Sequence, residues 1–309
     1  MSAPLPERVR VVEVGPRDGL QNEPRALGTR VKLDFVEALA ESGLTDIEVS
    51  SFVRPDRVPQ LADADEVFAA LDEKPGVRYW ALVPNETGLR RALEVGVRHI
   101  AVLASATEGF SRANVNAGAG EALTSLEPVV ALARHAGAEV RGYVSTVFGC
   151  PYDGEVPPRQ AARATKALFD MGCSEVSLGD TIGVAVPTDI PRVLEAHDAA
   201  GVERSRLALH LHDTRGTALA NVWAGLTEGI TVFDASAGGL GGCPFAPGAA
   251  GNLATEDLLH LLHGTGIGTE ASLSGVARAS GLIGRELAHP LPSRALAAFR
   301  GSRGRASDS

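Results

Sequence analysis

The feature that most constrains the fold is an alternation of short apolar runs with longer amphipathic runs along most of the chain. Helical patterns such as VKLDFVEALAES and RQAARATKALFDMG separate the apolar runs, and several of them end in glycine, as helices often do. Strands that alternate with helices indicate parallel pairing, and eight such units favour a closed (β/α)8 TIM barrel over an open sheet. The eight predicted strands are VRVVEVG from Val9, DIEVSSF from Asp46, VRYWALV from Val77, HIAVLAS from His99, EVRGYVST from Glu139, EVSLGD from Glu175, RLALHLHD from Arg206 and VFDASAG from Val232.

The strand pattern stops after Gly266, where GTEASLSGVARASGLIGREL and SRALAAF predict helices appended to the barrel. A chain of 309 residues is long for one ordinary domain, but α/β barrels of this length occur as single domains. We therefore predict an N-terminal arm at 1–8, a catalytic barrel at 9–265, C-terminal helices packed on the barrel at 266–299, and a disordered tail at 300–309.

Charge and cysteine content exclude several classes of protein. The net charge is −9 and no stripe of Lys and Arg offsets it, so we expect no nucleic-acid partner. No apolar run is long enough to cross a membrane, and we expect no secretory signal because residues 1–10 contain no apolar run. Three cysteines are too few for a disulfide scaffold, which favours a reducing, cytoplasmic location.

The first candidate site is His210-Leu211-His212-Asp213, at the end of the seventh predicted strand. Residues i and i+2 of a strand face the same side, so both imidazoles would point into the barrel mouth. Two histidines on one face are suited to hold a metal ion. The alternative is that one histidine is structural and the other is hydrogen-bonded to a neighbour.

The second candidate site is Gly15-Pro16-Arg17-Asp18-Gly19, directly after the first strand. Asp18 would add a carboxylate ligand at the same face, and Arg17 a permanent cation that can stabilise a developing oxyanion. The alternative is an ordinary surface turn, since Pro, Asp and Gly are turn formers.

A glycine-rich loop at 238–252 follows the eighth strand and carries six glycines and two prolines in fifteen residues. Such a loop is suited to reach over a barrel mouth. Cys243 lies in its middle, either as a functional thiol or as a small buried residue. Asn252 ends it, either as a metal ligand through its carbonyl oxygen or as a helix cap.

Two further carboxylates lie in apolar strands, Glu48 in the second and Asp180 at the end of the sixth. A buried acid is costly unless it is paired or ligating, so these residues either orient the metal ligands or form salt bridges in the barrel. His260 and His263 have helical spacing on a late helix, and we expect them to be structural.

Several motifs in order, from about Val12 to Leu258, resemble the 3-hydroxy-3-methylglutaryl-CoA lyase family. The most specific are VEVGPRDGLQNE and GLGGCPFAPGAAGN, and SATEGFSRANVN, GYVSTVFGCPYDG, VSLGDTIGV and HLHDTRGTALAN accompany them. The family pattern is absent at Thr87, Ala117 and Glu270, none of which is a candidate metal ligand. These departures leave the acyl group less defined than the reaction.

This resemblance implies a reaction, a cofactor and a set of residue roles. The reaction is metal-dependent, retro-Claisen cleavage of 3-hydroxy-3-methylglutaryl-CoA to acetyl-CoA and acetoacetate, as in leucine degradation, by a homodimer. The alternative substrate is another 3-hydroxy-acyl-CoA thioester, such as an isoprenoid-derived glutaryl-CoA or citramalyl-CoA. The cofactor is Mg²⁺ or Mn²⁺, and the base is His210 or a carboxylate acting through water. The resemblance makes Asp18, His210, His212 and Asn252 the metal ligands, Arg17 the contact to the substrate carbonyl, Cys243 the active-site thiol, and Glu48 and Asp180 acidic residues lining the site.

Overall fold

Eight parallel strands close into a barrel in the computed structural model, in chain order and with β1 beside β8. The structure describes residues 4–242 and 250–307, with side chains up to residue 301. The predicted fold class is confirmed, and the predicted strands agree with the observed ones to within three residues at each end. The strands are β1 (Arg10–Glu13), β2 (Asp46–Ser51), β3 (Arg78–Leu82), β4 (His99–Ser105), β5 (Glu139–Ser145), β6 (Glu175–Asp180), β7 (Leu207–Leu211) and β8 (Val232–Ala235).

The helices surround this barrel, and in the described part of the chain none is long and apolar enough to cross a membrane. They are α1 (Thr29–Glu41), α2 (Ala64–Ala69), α3 (Glu86–Glu94), α4 (Glu108–Val115), α5 (Ala119–Ser125), α6 (Glu127–His135), α7 (Pro158–Met171), α8 (Asp189–Ala199), α9 (Ala218–Thr227), α10 (Thr255–Gly264), α11 (Leu273–Leu287) and α12 (Arg294–Ser307).

Helix α7 shows how the sequence produces these elements. Its buried residues Ala161, Ala164 and Leu168 recur every three or four positions, which places them on one face of a helix. The helix ends at Gly172, whose φ of 112° lies in the left-handed region that glycine adopts readily. The buried face packs on the strands and adds to the main apolar core between the barrel and its helices.

The interior of the barrel contains buried charged residues that bond to one another across the strands. The buried Arg141 guanidinium on β5 donates to Asp234 Oδ1 on β8 at 2.5 Å and to Glu175 Oε1 on β6 at 2.8 Å. Asp46 on β2 accepts a hydrogen bond of 2.9 Å from the Trp80 indole on β3. These bonds satisfy the buried charges and fill the barrel between its two ends.

The C-terminal helices pack against α1 and against the turn that follows β8. Helix α11 packs against α1, and the amide of Ser293 donates to the carbonyl of Gly238 at 3.1 Å. The carboxylate of Asp257 accepts from the amides of Arg294 and Ala295 at 3.2 and 2.7 Å, which caps the start of α12. From this first turn the helix continues to Ser307, whereas the sequence predicts a disordered tail from residue 300 because the residues there are small, polar and charged.

Candidate active site

The segment after β1 forms a single π-helical turn over Gly15–Gly19. The amides of Asp18 and Gly19 both donate to the carbonyl of Val14, at 2.7 and 3.2 Å. A side chain at Gly15 would place its Cβ 2.6 Å from Glu13 Oε1, so the close approach of the turn to β1 requires glycine. Isolated π turns are frequent at functional sites, and this one places Arg17 and Asp18 at the barrel mouth.

The two histidines of the seventh strand meet at the same mouth. His210 lies on β7, and its Nε2 is 3.2 Å from Nε2 of His212, which follows the strand directly. His212 in turn forms an isolated antiparallel bridge with Asn252, at the far end of the glycine-rich loop. The alternation predicted from the sequence is therefore present, and both imidazoles face one point.

Four predicted ligands converge at this point. One ligand atom from each of Asp18, His210 and His212 lies within 4.8 Å of the others, and Asp18 Oδ2 is 3.9 Å from His210 Nε2. Asn252 reaches the same carboxylate, since its Nδ2 donates to Asp18 Oδ2 at 2.8 Å. Side chains separated by 234 positions in the sequence thus meet at the rim of the barrel.

The chemistry of these donors fits a divalent cation. Two imidazole nitrogens, a carboxylate and an amide oxygen are acceptors that Mg²⁺ and Mn²⁺ bind, and the set lacks the thiolates typical of a closed zinc site. Among the described residues, the buried amide oxygen of Asn252 and Nδ1 of His212 have no hydrogen-bond partner. The Nε2 atoms of His210 and His212 lie 3.2 Å apart, close enough to bind one cation together.

Protonation of the two rings differs because their surroundings differ. Burial and the neighbouring His210 ring lower the pKa of His212 to about 4, which keeps it in the neutral form that binds metal ions. Burial also acts against the charged form of His210, but the hydrogen bond to Asp234 and the charge of Asp18 outweigh it and raise its pKa. The bond from His210 Nδ1 to Asp234 Oδ2 is 3.3 Å long and orients the ring with Nε2 toward the site.

Arg17 lies between two carboxylates. Its Nε donates to Glu48, and its Nη1 donates to Asp18 Oδ1 at 2.7 Å. Glu48 is fully buried and also accepts a 2.6 Å hydrogen bond from the hydroxyl of Tyr143. Burial opposes the charge of Arg17, but Glu48 and Asp18 raise its pKa on balance, so the guanidinium is a permanent cation beside the proposed ligands.

These residues line a cavity of about 870 Å³ at the barrel mouth. Its floor includes Arg17, Asp18 and both histidines, and Leu82 and Leu103 add apolar surface. The size is suited to a small organic ligand, and polar groups that converge inside such a cavity define a default binding site.

Three other predicted residues have separate outcomes. The Asp180 carboxylate accepts hydrogen bonds from the backbone amides of Val184 and Ala185, at 2.9 and 3.1 Å. Among the described residues, it therefore orders the loop after β6 and forms no hydrogen bond to a proposed metal ligand. Burial raises the pKa of Asp180 to about 6. Cys243 lies outside the described residues. His263 bonds to Thr269 at 2.9 Å on the outer helix α10, away from the barrel mouth.

Sequence reasoning missed Asp234, Arg141 and Tyr143, which support the site from inside the barrel. Asp234 accepts from Arg141 and from Ser177 Oγ while it contacts His210. The register pairs His210 with Asp234 across β7 and β8. The available signal was a lone charged or polar residue within an apolar strand, the same signal that identified Glu48.

Comparison with known proteins gives consistent matches. The model of the HMGL-like family matches residues 8–283. The chain is 48% identical over 299 residues to hydroxymethylglutaryl-CoA lyase YngG of Bacillus subtilis, covering 97% of this chain and all of that protein. It is 51% identical over 285 residues to the 3-hydroxy-3-isohexenylglutaryl-CoA/hydroxy-methylglutaryl-CoA lyase of Pseudomonas aeruginosa, covering 91% and 95% of the two chains.

A solved structure shows the same architecture. The crystal structure of hydroxymethylglutaryl-CoA lyase from Pseudomonas aeruginosa superposes with a TM-score of 0.94 at 50% identity, and the match covers 96% of this chain and 99% of that one. The similarity therefore extends over the whole barrel and the C-terminal helices.

Proposed function

Because the chain belongs to the HMGL-like family, we propose that it is a carbon–carbon lyase that cleaves 3-hydroxy-3-methylglutaryl-CoA to acetyl-CoA and acetoacetate. The observation that carries this proposal is the convergence of Asp18, His210, His212 and Asn252 beside Arg17 in one cavity. Each of these residue types has a role in retro-Claisen cleavage.

The proposed ligands of a divalent cation are Asp18, His210, His212 and Asn252. Mg²⁺ or Mn²⁺ bound there would supply Lewis acidity toward the hydroxyl and carboxylate oxygens of the substrate. The neutral state of His212 and the low pKa of Asp18 prepare both residues for such a role. Burial acts to raise the pKa of Asp18, but the charges of Arg17 and the two histidines outweigh burial, so the pKa is lowered.

The protein's own residues would handle protons and negative charge. A base, either His210 or a carboxylate acting through water, takes the hydroxyl proton. The electron pair of the O–H bond forms the ketone of acetoacetate, and the pair of the broken C–C bond forms the enolate of acetyl-CoA. Arg17 stabilises the enolate oxygen, and Cys243 returns a proton to carbon.

The cavity suits an acyl-CoA thioester. The exposed arginines Arg54, Arg57 and Arg112 line it, and guanidinium groups pair well with the phosphates of coenzyme A. Leu82 and Leu103 offer apolar surface to the acyl part. A longer isoprenoid-derived acyl group is the alternative substrate, and the relative from Pseudomonas aeruginosa is named for both.

Product analysis tests the proposed reaction. Purified protein is incubated with Mg²⁺ and 3-hydroxy-3-methylglutaryl-CoA, and in parallel with the isohexenyl thioester and citramalyl-CoA. We expect acetyl-CoA and acetoacetate in equal amounts from the first thioester, measured by chromatography and mass spectrometry. Cleavage of another thioester alone would transfer the assignment to that substrate, and cleavage of none would refute the lyase proposal.

Replacement of Cys243 by serine tests the proton donor. We expect Cys243→Ser to fold and to lose about 100- to 1,000-fold in kcat, since a positioned acid contributes roughly 10²–10⁴-fold and a serine hydroxyl is a much weaker acid. Cys150 is a buried free thiol at another position in the chain, and Cys150→Ser is the matched control. Equal losses in the two variants, or none in either, would contradict the role.

Location, assembly and domain limits complete the proposal. Cys150 and Cys173 are free thiols, which agrees with a reducing, cytoplasmic location.

We propose a homodimer, which light scattering would test. We also propose that residues 9–265 act as the catalytic barrel, with 1–8 as an arm and 266–299 as a packed helical extension.

A further inference from the structure

A fully buried carboxylate, Glu13, lies two residues before the π turn of the site. Glu13 is the last residue of β1 and is 0% exposed. Its Oε1 accepts from the amides of Gly15 and Ala237, both at 2.8 Å, and its Oε2 accepts from the Thr255 hydroxyl at 2.7 Å. Both oxygens are therefore used, and all three donors are protein groups.

The three donors lie in segments that hold proposed site residues or flank the glycine-rich loop. Gly15 begins the π turn that holds Arg17 and Asp18, and Ala237 begins the turn after β8. Thr255 is the first residue of α10, three positions after Asn252. The carboxylate thus joins chain segments that are 224 and 242 residues away from it in the sequence.

We propose that Glu13 is a positioning residue that fixes Asp18 and Asn252 relative to each other, and thereby sets the affinity of the site for its divalent cation. This inference rests on the proposed function, because it assumes that these two residues bind a metal ion. Glu13 touches neither of them and acts through the backbone of the segments that hold them.

Burial alone does not account for a carboxylate at this position. Burial raises the pKa of Glu13 to about 7 even though three hydrogen bonds oppose the shift. An apolar side chain would fill the space without that cost, but it would leave the amides of Gly15 and Ala237 buried without an acceptor. The amides of Gly15 and Ala237 therefore require an oxygen acceptor at position 13.

Two substitutions distinguish the loss of the acceptor oxygens of Glu13 from a change in the volume of its side chain. In Glu13→Met the side chain keeps its length and loses both acceptors. In Glu13→Gln the amide oxygen can still accept from both backbone amides, and the amide nitrogen can donate to Thr255. We expect the methionine variant to bind Mn²⁺ about 10- to 100-fold more weakly, as other residues that support metal ligands do. We expect the glutamine variant to stay close to the wild type.

The measurement is calorimetric titration of chelator-treated protein with Mn²⁺, alongside the midpoint of urea unfolding. Weaker binding in Glu13→Met, with recovery in Glu13→Gln, supports the positioning role. If the methionine variant does not fold, Thr255→Val and Thr255→Ser provide the same comparison, because only serine retains the hydroxyl that Glu13 accepts from. We then expect Thr255→Val, but not Thr255→Ser, to bind Mn²⁺ more weakly than the wild type, by a smaller factor than that expected for Glu13→Met.

Equal Mn²⁺ affinity in the wild type and in the folded acceptor-deficient variant would overturn the inference. Failure of the proposed function gives a different result: the wild type binds Mn²⁺ but releases no acetyl-CoA, and the affinity comparison stays valid. A wild type that binds no Mn²⁺ would overturn both.

Discussion

Arg17→Gln should lower kcat by about 100- to 1,000-fold with a smaller change in KM, as expected when one oxyanion partner is removed. Arg17 is 6% exposed and donates hydrogen bonds to Glu48 and Asp18, so its guanidinium has a fixed position in the lining of the cavity. A charge that is already in place stabilises the developing enolate without reorganisation. Steady-state kinetics with 3-hydroxy-3-methylglutaryl-CoA measures the loss.

A control for Arg17→Gln must distinguish a loss of catalysis from a loss of folding stability. Loss of Arg17 leaves Glu48 buried without its cation, and breaking one side of a buried ion pair typically costs about 3–5 kcal/mol. Arg78→Gln is a control for the loss of an arginine that pairs with a buried carboxylate, since Arg78 contacts Asp46, which also contacts Arg10, at the first residues of β3 and β2. We expect it to lower the free energy of unfolding and to leave kcat unchanged. Turnover of Arg17→Gln close to the wild-type value would contradict the assigned role.

The barrel was predictable because its signal is repeated eight times. Strands β4 and β6 have the predicted first and last residues, and the other strands are shorter than the predicted runs. The reason is that the predicted runs include residues beyond the ladder bonds, in segments where the chain joins or leaves the sheet. His212 is such a residue, since it follows β7 and joins Asn252 in an isolated bridge instead.

The proposed metal ligands were predictable to the extent that strand ends meet at one rim. The strand period places His210 and His212 together, and the chain order of a barrel places the β1 and β8 loops side by side. The shape of the Gly15–Gly19 turn was not predictable, because a π turn differs from an ordinary turn only by which amide bonds to Val14.

The supporting residues could not be assigned from the sequence. Asp234 and Glu13 are acids within apolar strands, but pattern alone does not say whether such an acid meets an arginine, a histidine or a backbone amide. Asp234 meets Arg141 and His210, and Glu13 meets two amides and a hydroxyl. These partners come from distant segments, so their identity depends on the register of the closed barrel.

Removal of the divalent cation should abolish turnover, and loss of a single proposed ligand should weaken metal binding. A Lewis acid supplies several kcal/mol to such a reaction, and 1.36 kcal/mol corresponds to a tenfold change in rate, so treatment with a chelator should reduce kcat by at least about 1,000-fold. Addition of Mg²⁺ or Mn²⁺ should restore it. His212→Gln should bind Mn²⁺ more weakly, because His212 is one of three side chains with ligand atoms within 4.8 Å of each other.

His260→Gln is the matched histidine control for this experiment, since His260 is exposed on α10, outside the cavity. Its Mn²⁺ affinity and turnover should equal those of the wild type. Asp18→Asn keeps the size of the side chain but removes the negative charge that faces His210 and Asn252, so its affinity should fall as well. If turnover survives complete chelation, or if His212→Gln and Asp18→Asn both bind Mn²⁺ as tightly as the wild type does, the side chains at the rim do not hold the cation, and the cleavage proposed for this cavity lacks its Lewis acid.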